Sequence, residues 1–192
     1  MLKCLQSLTV LGLVVLASCS RAPDTPPTPQ PTYQLTASIQ DVMLAMIDKQ
    51  ADTLWGSVAT IVSREGIEER QPRTDEEWLA VRNAAVTIAE ASNLLRMPGR
   101  QVARPGFKSQ NPGIELEPAE IAKIIQDKPE QWAKHTAALH DIAAEMIKVI
   151  DARNVQGLVD TGEKLDMVCE NCHVLYWYPN DKRPEDVPSM KK

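Results

Sequence analysis

The residues Cys169-Glu170-Asn171-Cys172-His173 bring together types that can do chemistry, at a spacing that suits it. Cys-x-x-Cys-His is the attachment pattern of a c-type haem. In that chemistry two thiols add across the porphyrin vinyl groups and the adjacent imidazole binds the iron. On a helix these residues stand at i, i+3 and i+4, so all three side chains project to one side. A zinc site is the first rival, but it needs further ligands. The remaining histidines, His135 and His140, are five residues apart, about 140° around a helix, and do not form a chelating pair. A redox dithiol is the second rival, yet that motif sits at a helix N-terminus, where the dipole lowers the thiol pKa. Here it comes late in a helical run. A chance Cys-x-x-Cys-His is expected in roughly one chain per thousand of this size. The pattern therefore predicts one covalent haem c, with Cys169 and Cys172 as thioether anchors and His173 as the proximal iron ligand.

The N-terminus predicts export. Lys3 precedes an apolar run from Leu8 to Ala17, too short to span a bilayer and typical of a signal peptide. It ends in Leu16-Ala17-Ser18-Cys19, which resembles the bacterial lipobox, so residues 1–18 are expected to be removed and Cys19 lipidated. An ordinary signal peptide is the alternative. Ser20, in place of Asp, favours the outer membrane. Cys4 leaves with the signal, so only Cys169 and Cys172 remain for other chemistry. Arg21–Pro31 is rich in Pro and Thr and reads as an extended tether, reaching roughly 30 Å in polyproline II form. Residues 19–35 then form the anchor and tether, 36–179 the folded domain and 180–192 a tail.

The elements that must position the motif are helical. The chain has 192 residues, net charge −5 and only 4 % aromatics, with Ala, Leu, Ile, Val and Met supplying the apolar surface. That composition favours helices packed on helices. No basic block suggests nucleic acid. Periodicity predicts a first helix from about Thr36 to Arg64, with Ile39, Val42, Met43, Met46, Leu54, Val58, Ile61 and Val62 on its apolar stripe. A second begins at the capping box Thr74-Asp75-Glu76-Glu77 and stops at Pro98-Gly99. A third spans about Pro118 to Arg153, in two pieces if Pro129 starts a new helix. The fourth runs from about Val155 to Tyr176. The Glu65–Glu69 and Asp75–Glu77 groups read as solvated helix ends. Pro98 to Glu117 reads as a crossover connection. Its Arg100, Arg104 and Lys108 are either solvated or free to contact haem propionates or an acidic partner.

An attachment motif on the last of four helices resembles the class II cytochromes c, the cytochrome c-prime family. The resemblance covers about Thr36 to Pro179 and, outside Cys169–His173, rests on helix order and pattern. The chain is also similar to exported bacterial proteins of this class, through Asp48-Lys49-Gln50-Ala51-Asp52-Thr53-Leu54-Trp55 and through Cys172 to Pro179. The resemblance implies an all-α, antiparallel four-helix bundle with haem bound near one end. It also implies a distal ligand on the first helix in low-spin members, and an apolar residue there in high-spin, gas-binding ones. Met43 is the expected distal ligand, with Met46 in reserve; Met146 and Met167 are expected to pack. His135 or His140 would instead give a bis-His haem. The family usually places a basic residue soon after the haem His, whereas Val174-Leu175-Tyr176-Trp177 follow here. Trp177 and Tyr178 either cap the bundle end or serve as core aromatics.

These residues predict a periplasm-facing electron carrier with His/Met-ligated iron, anchored to a membrane by lipid and meeting redox partner proteins. The alternative is a high-spin NO- or CO-binding haem protein; a haem-free structural lipoprotein is a third reading. No enzyme signature is present in the sequence, and a homodimer is among the arrangements it permits.

Overall fold

The structure is a computed structural model and describes residues 33–181. The signal peptide, Cys19, the Arg21–Pro31 tether and the last residues of the tail lie outside the described residues. The described residues are mostly helical, with five helices and one two-stranded hairpin among them.

Helix α1 comprises Ile39–Val42, Met43–Asp48 and Lys49–Ser57, which follow one another without a break in helical backbone. Ser38 starts it with a reciprocal cap: its hydroxyl accepts from the Asp41 amide at 3.1 Å, and the Asp41 carboxylate accepts from the Ser38 amide at 3.1 Å. The middle stretch is wound wider, as a π-helix. Its sequence, Met-Leu-Ala-Met-Ile-Asp, holds no Pro or Gly, so a helix breaker does not cause the widening.

The expected first helix is too long. It ends at Ser57, and Val58 is already extended. Strands β1 (Ala59–Ser63) and β2 (Gly66–Arg70) then form an antiparallel hairpin in which Val62 faces Ile67. The reason is local: Val58, Thr60, Ile61 and Val62 are β-branched, and Arg64-Glu65 make a two-residue turn closed by Gly66 at φ +139°. That backbone region suits glycine and few other residues. Glu65–Glu69 therefore belong to a hairpin and not to a helix end. Both strands are almost wholly exposed.

Helix α2 (Asp75–Leu95) begins as the capping box requires, with Glu77 N donating to the Thr74 hydroxyl at 3.2 Å. Residues 96–117 cross over without a helix or strand. Two prolines then open two helices, α3 (Pro118–Asp127) and α4 (Pro129–Asp151), with Lys128 as the non-helical joint. Asn154 caps α5 (Val155–Tyr176), its side chain accepting from the Gly157 amide at 3.0 Å. In packing, α2 lies on α1 and α4, and α5 on α4 and α1, while α3 lies on α4. Ala84, Ala85 and Ala91 let α2 approach closely, and Ile88, Met146, Leu158 and Leu165 fill the centre. Trp55 donates its indole N–H to the Gly162 carbonyl at 3.0 Å, pinning the C-terminal half of α1 to the N-terminal half of α5. Among the described residues, no helix is long and apolar enough to cross a membrane.

Candidate haem site

Leu158, Leu165, Cys169, Cys172, His173 and Tyr176 share one face of α5. Its C-terminal part packs on α4 through Tyr176, whose ring meets those of Trp132 and His135 edge-on. It borders a cavity whose opposite wall is α1, with Gln40, Met43, Ile47 and Ala51, and whose floor is α4, with Trp132, His135, Thr136 and Leu139. The space between these walls, open solvent at the mouth included, is about 1210 Å³. The lining is almost wholly apolar, and the exposed Leu44 and Asp48 stand among its outermost residues. The π-wound stretch of α1 coincides with this wall, a recurrent location for such turns.

The crossover fixes the end of the cavity. Its Gln101 and Val102 carbonyls accept from the Ile39 and Gln40 amides at 2.8 and 2.9 Å, satisfying two donors of the first turn of α1. Leu116 N donates to the Trp177 carbonyl at 2.8 Å, just past α5. Burial pushes the Glu115 carboxyl up, but bonds from Trp177, Asn111 and Ser109 outweigh it and leave the group below its ordinary value. One irregular segment thus ties the start of α1 to the end of α5. Arg100 serves this junction: its guanidinium donates to the Leu94 and Ala37 carbonyls. Arg104 pairs with Asp41 at 3.5 Å.

The chemistry of the three motif side chains follows from burial. Both cysteines are free and half-buried. Desolvation, followed by the charges of Asp166 and Asp48, pushes the Cys169 thiol up to about 11. Desolvation and Cys169 push Cys172 up to about 12. Such thiols are protonated at neutral pH, the reverse of an activated dithiol. Burial lowers the His173 pKa, against the opposing charges of Glu170 and Asp48, so the imidazole is neutral and able to bind a metal. Tyr178 packs its ring against His173, with centroids 5.9 Å apart, and donates its hydroxyl to Glu170 at 2.6 Å.

Met43 lines the cavity, across from the α5 motif; Met46, one turn later, is half-buried but is not part of the lining. His135 also lines it, lowered in pKa by burial and by Lys134, with its ring edge-on to Tyr176 at 5.8 Å. His140 lies outside it, 3.4 Å from Asp141. Met146 is in the core, and Met167 is exposed. Trp177 and Tyr178 both reach the cavity. Gln40 and Trp132 are wall residues that the sequence pattern did not single out. The signal for Gln40 was its position three residues before Met43, on the same face. Among the described residues, no group of three or more His, Cys, Asp or Glu side chains is placed to hold a metal ion.

The residues fit a c-type haem: two thiols and one neutral imidazole on one helix face, beside a large apolar cavity with a thioether on its far wall. The chain matches no family model, no curated protein and no solved structure.

Proposed function

We propose that this chain is a monohaem c-type cytochrome, a periplasm-facing electron-transfer protein held at a membrane through lipidated Cys19. Its domain would be a four-helix bundle of α1, α2, α4 and α5, with haem near the end where α1 begins and α5 ends. The observation that carries the reading is the meeting of Met43 on α1 with Cys169, Cys172 and His173 on α5 in one apolar cavity. A haem held there supplies a one-electron ferric/ferrous couple.

The chain's own residues do the rest. Cys169 and Cys172 would hold the ring covalently, as thioethers. His173 would take the proximal position through a neutral ring nitrogen, and Met43 the distal one. A thioether on the distal side favours the ferrous state relative to a second imidazole. The aliphatic and aromatic walls exclude water, and Tyr178 limits the movement of the His173 ring. The mouth beside Leu44 and Asp48 is where a redox partner would approach.

A haem stain on a denaturing gel tests the assignment. A pigmented band in the wild type, lost when both cysteines are replaced by serine, is the expected result. A colourless chain from cells with intact cytochrome maturation would reject it and point to the haem-free lipoprotein. Rapid CO binding to the reduced, pigmented protein would favour the high-spin alternative over electron transfer.

A further inference from the structure

The hairpin between α1 and α2 leaves bare what a folded chain usually covers. Val62 and Ile67 stand opposite each other on one of its faces and are 75 % and 71 % exposed, more than any other large apolar side chain among the described residues. Ile61, on the other face, is exposed as well. A two-stranded sheet is only marginally stable alone and gains stability as strands are added.

The two edges of this sheet differ. Its ladder closes at Ser63 and Gly66, and from there backbone groups alternate between pointing inward and outward. The outward residues are Thr60 and Val62 on β1, and Ile67 and Glu69 on β2. The β2 edge is protected. It carries Glu68, Glu69 and Arg70, with Arg70 paired to Glu68 at 3.1 Å, and the Arg73 guanidinium donates to the Glu69 carbonyl at 3.4 Å. Charges and covered carbonyls are how a sheet keeps another strand away. The β1 edge, Ala59-Thr60-Ile61-Val62-Ser63, holds no charge and no proline. Among the described residues, the outward groups of Thr60 and Val62 have no backbone partner.

We infer that β1 is the pairing edge for a second copy of this chain. Two β1 strands meet antiparallel about a two-fold axis, giving one four-stranded sheet in the order β2-β1-β1-β2. With the axis at Ile61, Thr60 lies opposite the second copy's Val62, and Ile61 opposite the second copy's Ile61. That register pairs the whole strand, and each Thr60–Val62 pair exchanges both of its outward hydrogen bonds. Val62 and Ile67 of both copies then share one face of the sheet. The other pairings fare worse. Joining β2 to β2 in the matching register sets Glu68 against the second copy's Glu68, and like charges directly opposite destabilise a sheet. Joining β1 to β2 displaces Arg73 and is head-to-tail, so it does not close. An anionic lipid surface is opposed by Glu65, Glu68 and Glu69. The hairpin begins past Ser57, roughly 20 Å along α1 from Met43, so the contact is independent of the haem reading.

The test uses the whole protein in mild detergent. The wild type is expected to sediment as a concentration-dependent dimer. Val62→Lys puts a charge on an exposed edge position and should weaken association about tenfold or more at unchanged helical circular dichroism. Cysteine replacements read the register on a non-reducing gel under a mild oxidant, with the wild type accounting for the chain's own thiols. Ile61→Cys should link two chains, because the residues of a non-hydrogen-bonded pair stand about 4.5 Å apart at Cα. Ile67→Cys is more exposed but lies one strand farther from the axis in each copy, and should not link. Equal linkage at both positions would reduce the contact to random collision and overturn the proposal. So would a wild type that stays monomeric, or an Ile61→Cys chain that links to another protein instead of to itself.

Discussion

Tyr178 donates its hydroxyl to the Glu170 carboxylate at 2.6 Å while its ring rests 5.9 Å from that of His173. Glu170 is one of the two variable positions inside Cys-x-x-Cys-His. The motif therefore fastens the residue that leans on its own histidine. Tyr178 N also donates to the His173 carbonyl at 3.1 Å, folding the chain back as α5 ends. Removing the hydroxyl with Tyr178→Phe keeps the ring and loses one charge-assisted bond. It should cost about 1 kcal/mol, read as a lower urea midpoint at unchanged slope. An unchanged midpoint would mean that the bond does not hold the turn.

The thiols of a haem-free chain should be slow to alkylate. Burial raises Cys169 from 9.0 to about 11, two pH units, so the folded chain carries about a hundredfold less thiolate than the unfolded one. Cys172, at about 12, is more strongly suppressed. Iodoacetamide should react slowly with both until urea is added. In the pigmented protein both positions should stay unlabelled even in urea, because thioethers have no thiol to label. Fast labelling of the folded, haem-free chain would show that the cavity wall is more open than the structure has it.

Much of the helical framework was legible because its signals are local. Thr74 and Glu77 satisfy each other's backbone amides within one turn, and Pro118 and Pro129 can only begin helices, so these starts are written in neighbouring residues. The hairpin was missed because Leu54, Val58, Ile61 and Val62 fall at helical spacing. The β-branched run and the Arg64-Glu65 turn before Gly66 argued the other way, and the exposed strands offered no alternating burial to decide it. For the site, the α5 motif was plain, but the cavity is made by helices distant in sequence. Gln40 was not singled out by the pattern and becomes a wall residue only when α4 and α5 are placed beside it. Arg100, which the sequence leaves either solvated or free to contact haem propionates or an acidic partner, is instead spent on two carbonyls of the α1–α2 junction, where orphaned helix-end groups need donors.

Acid should destabilise the domain through its helix caps. The Ser38 hydroxyl and amide hold the Asp41 carboxyl below its ordinary 3.8, with burial opposing and Arg104 assisting. The Arg73 and Thr74 amides hold Glu77 below 4.5. A depressed folded-state pKa means that the unfolded chain binds more protons, so this stability is present above 3.8 and 4.5 and is lost as pH falls through the folded values. Melting temperatures taken from about pH 7 down to about pH 3 should fall less steeply for the Asp41→Asn, Glu77→Gln double variant than for the wild type. Parallel profiles would remove the caps from the acid response.

The account turns on whether Met43 closes the iron's sixth position opposite His173, and the ferric optical spectrum tests that most directly. The purified, pigmented protein should be low-spin. It should become high-spin with Met43→Ala and stay low-spin with Met46→Ala and His135→Ala. A wild-type spectrum that is already high-spin and unmoved by Met43→Ala, or a low-spin one lost only with His135→Ala, would contradict it.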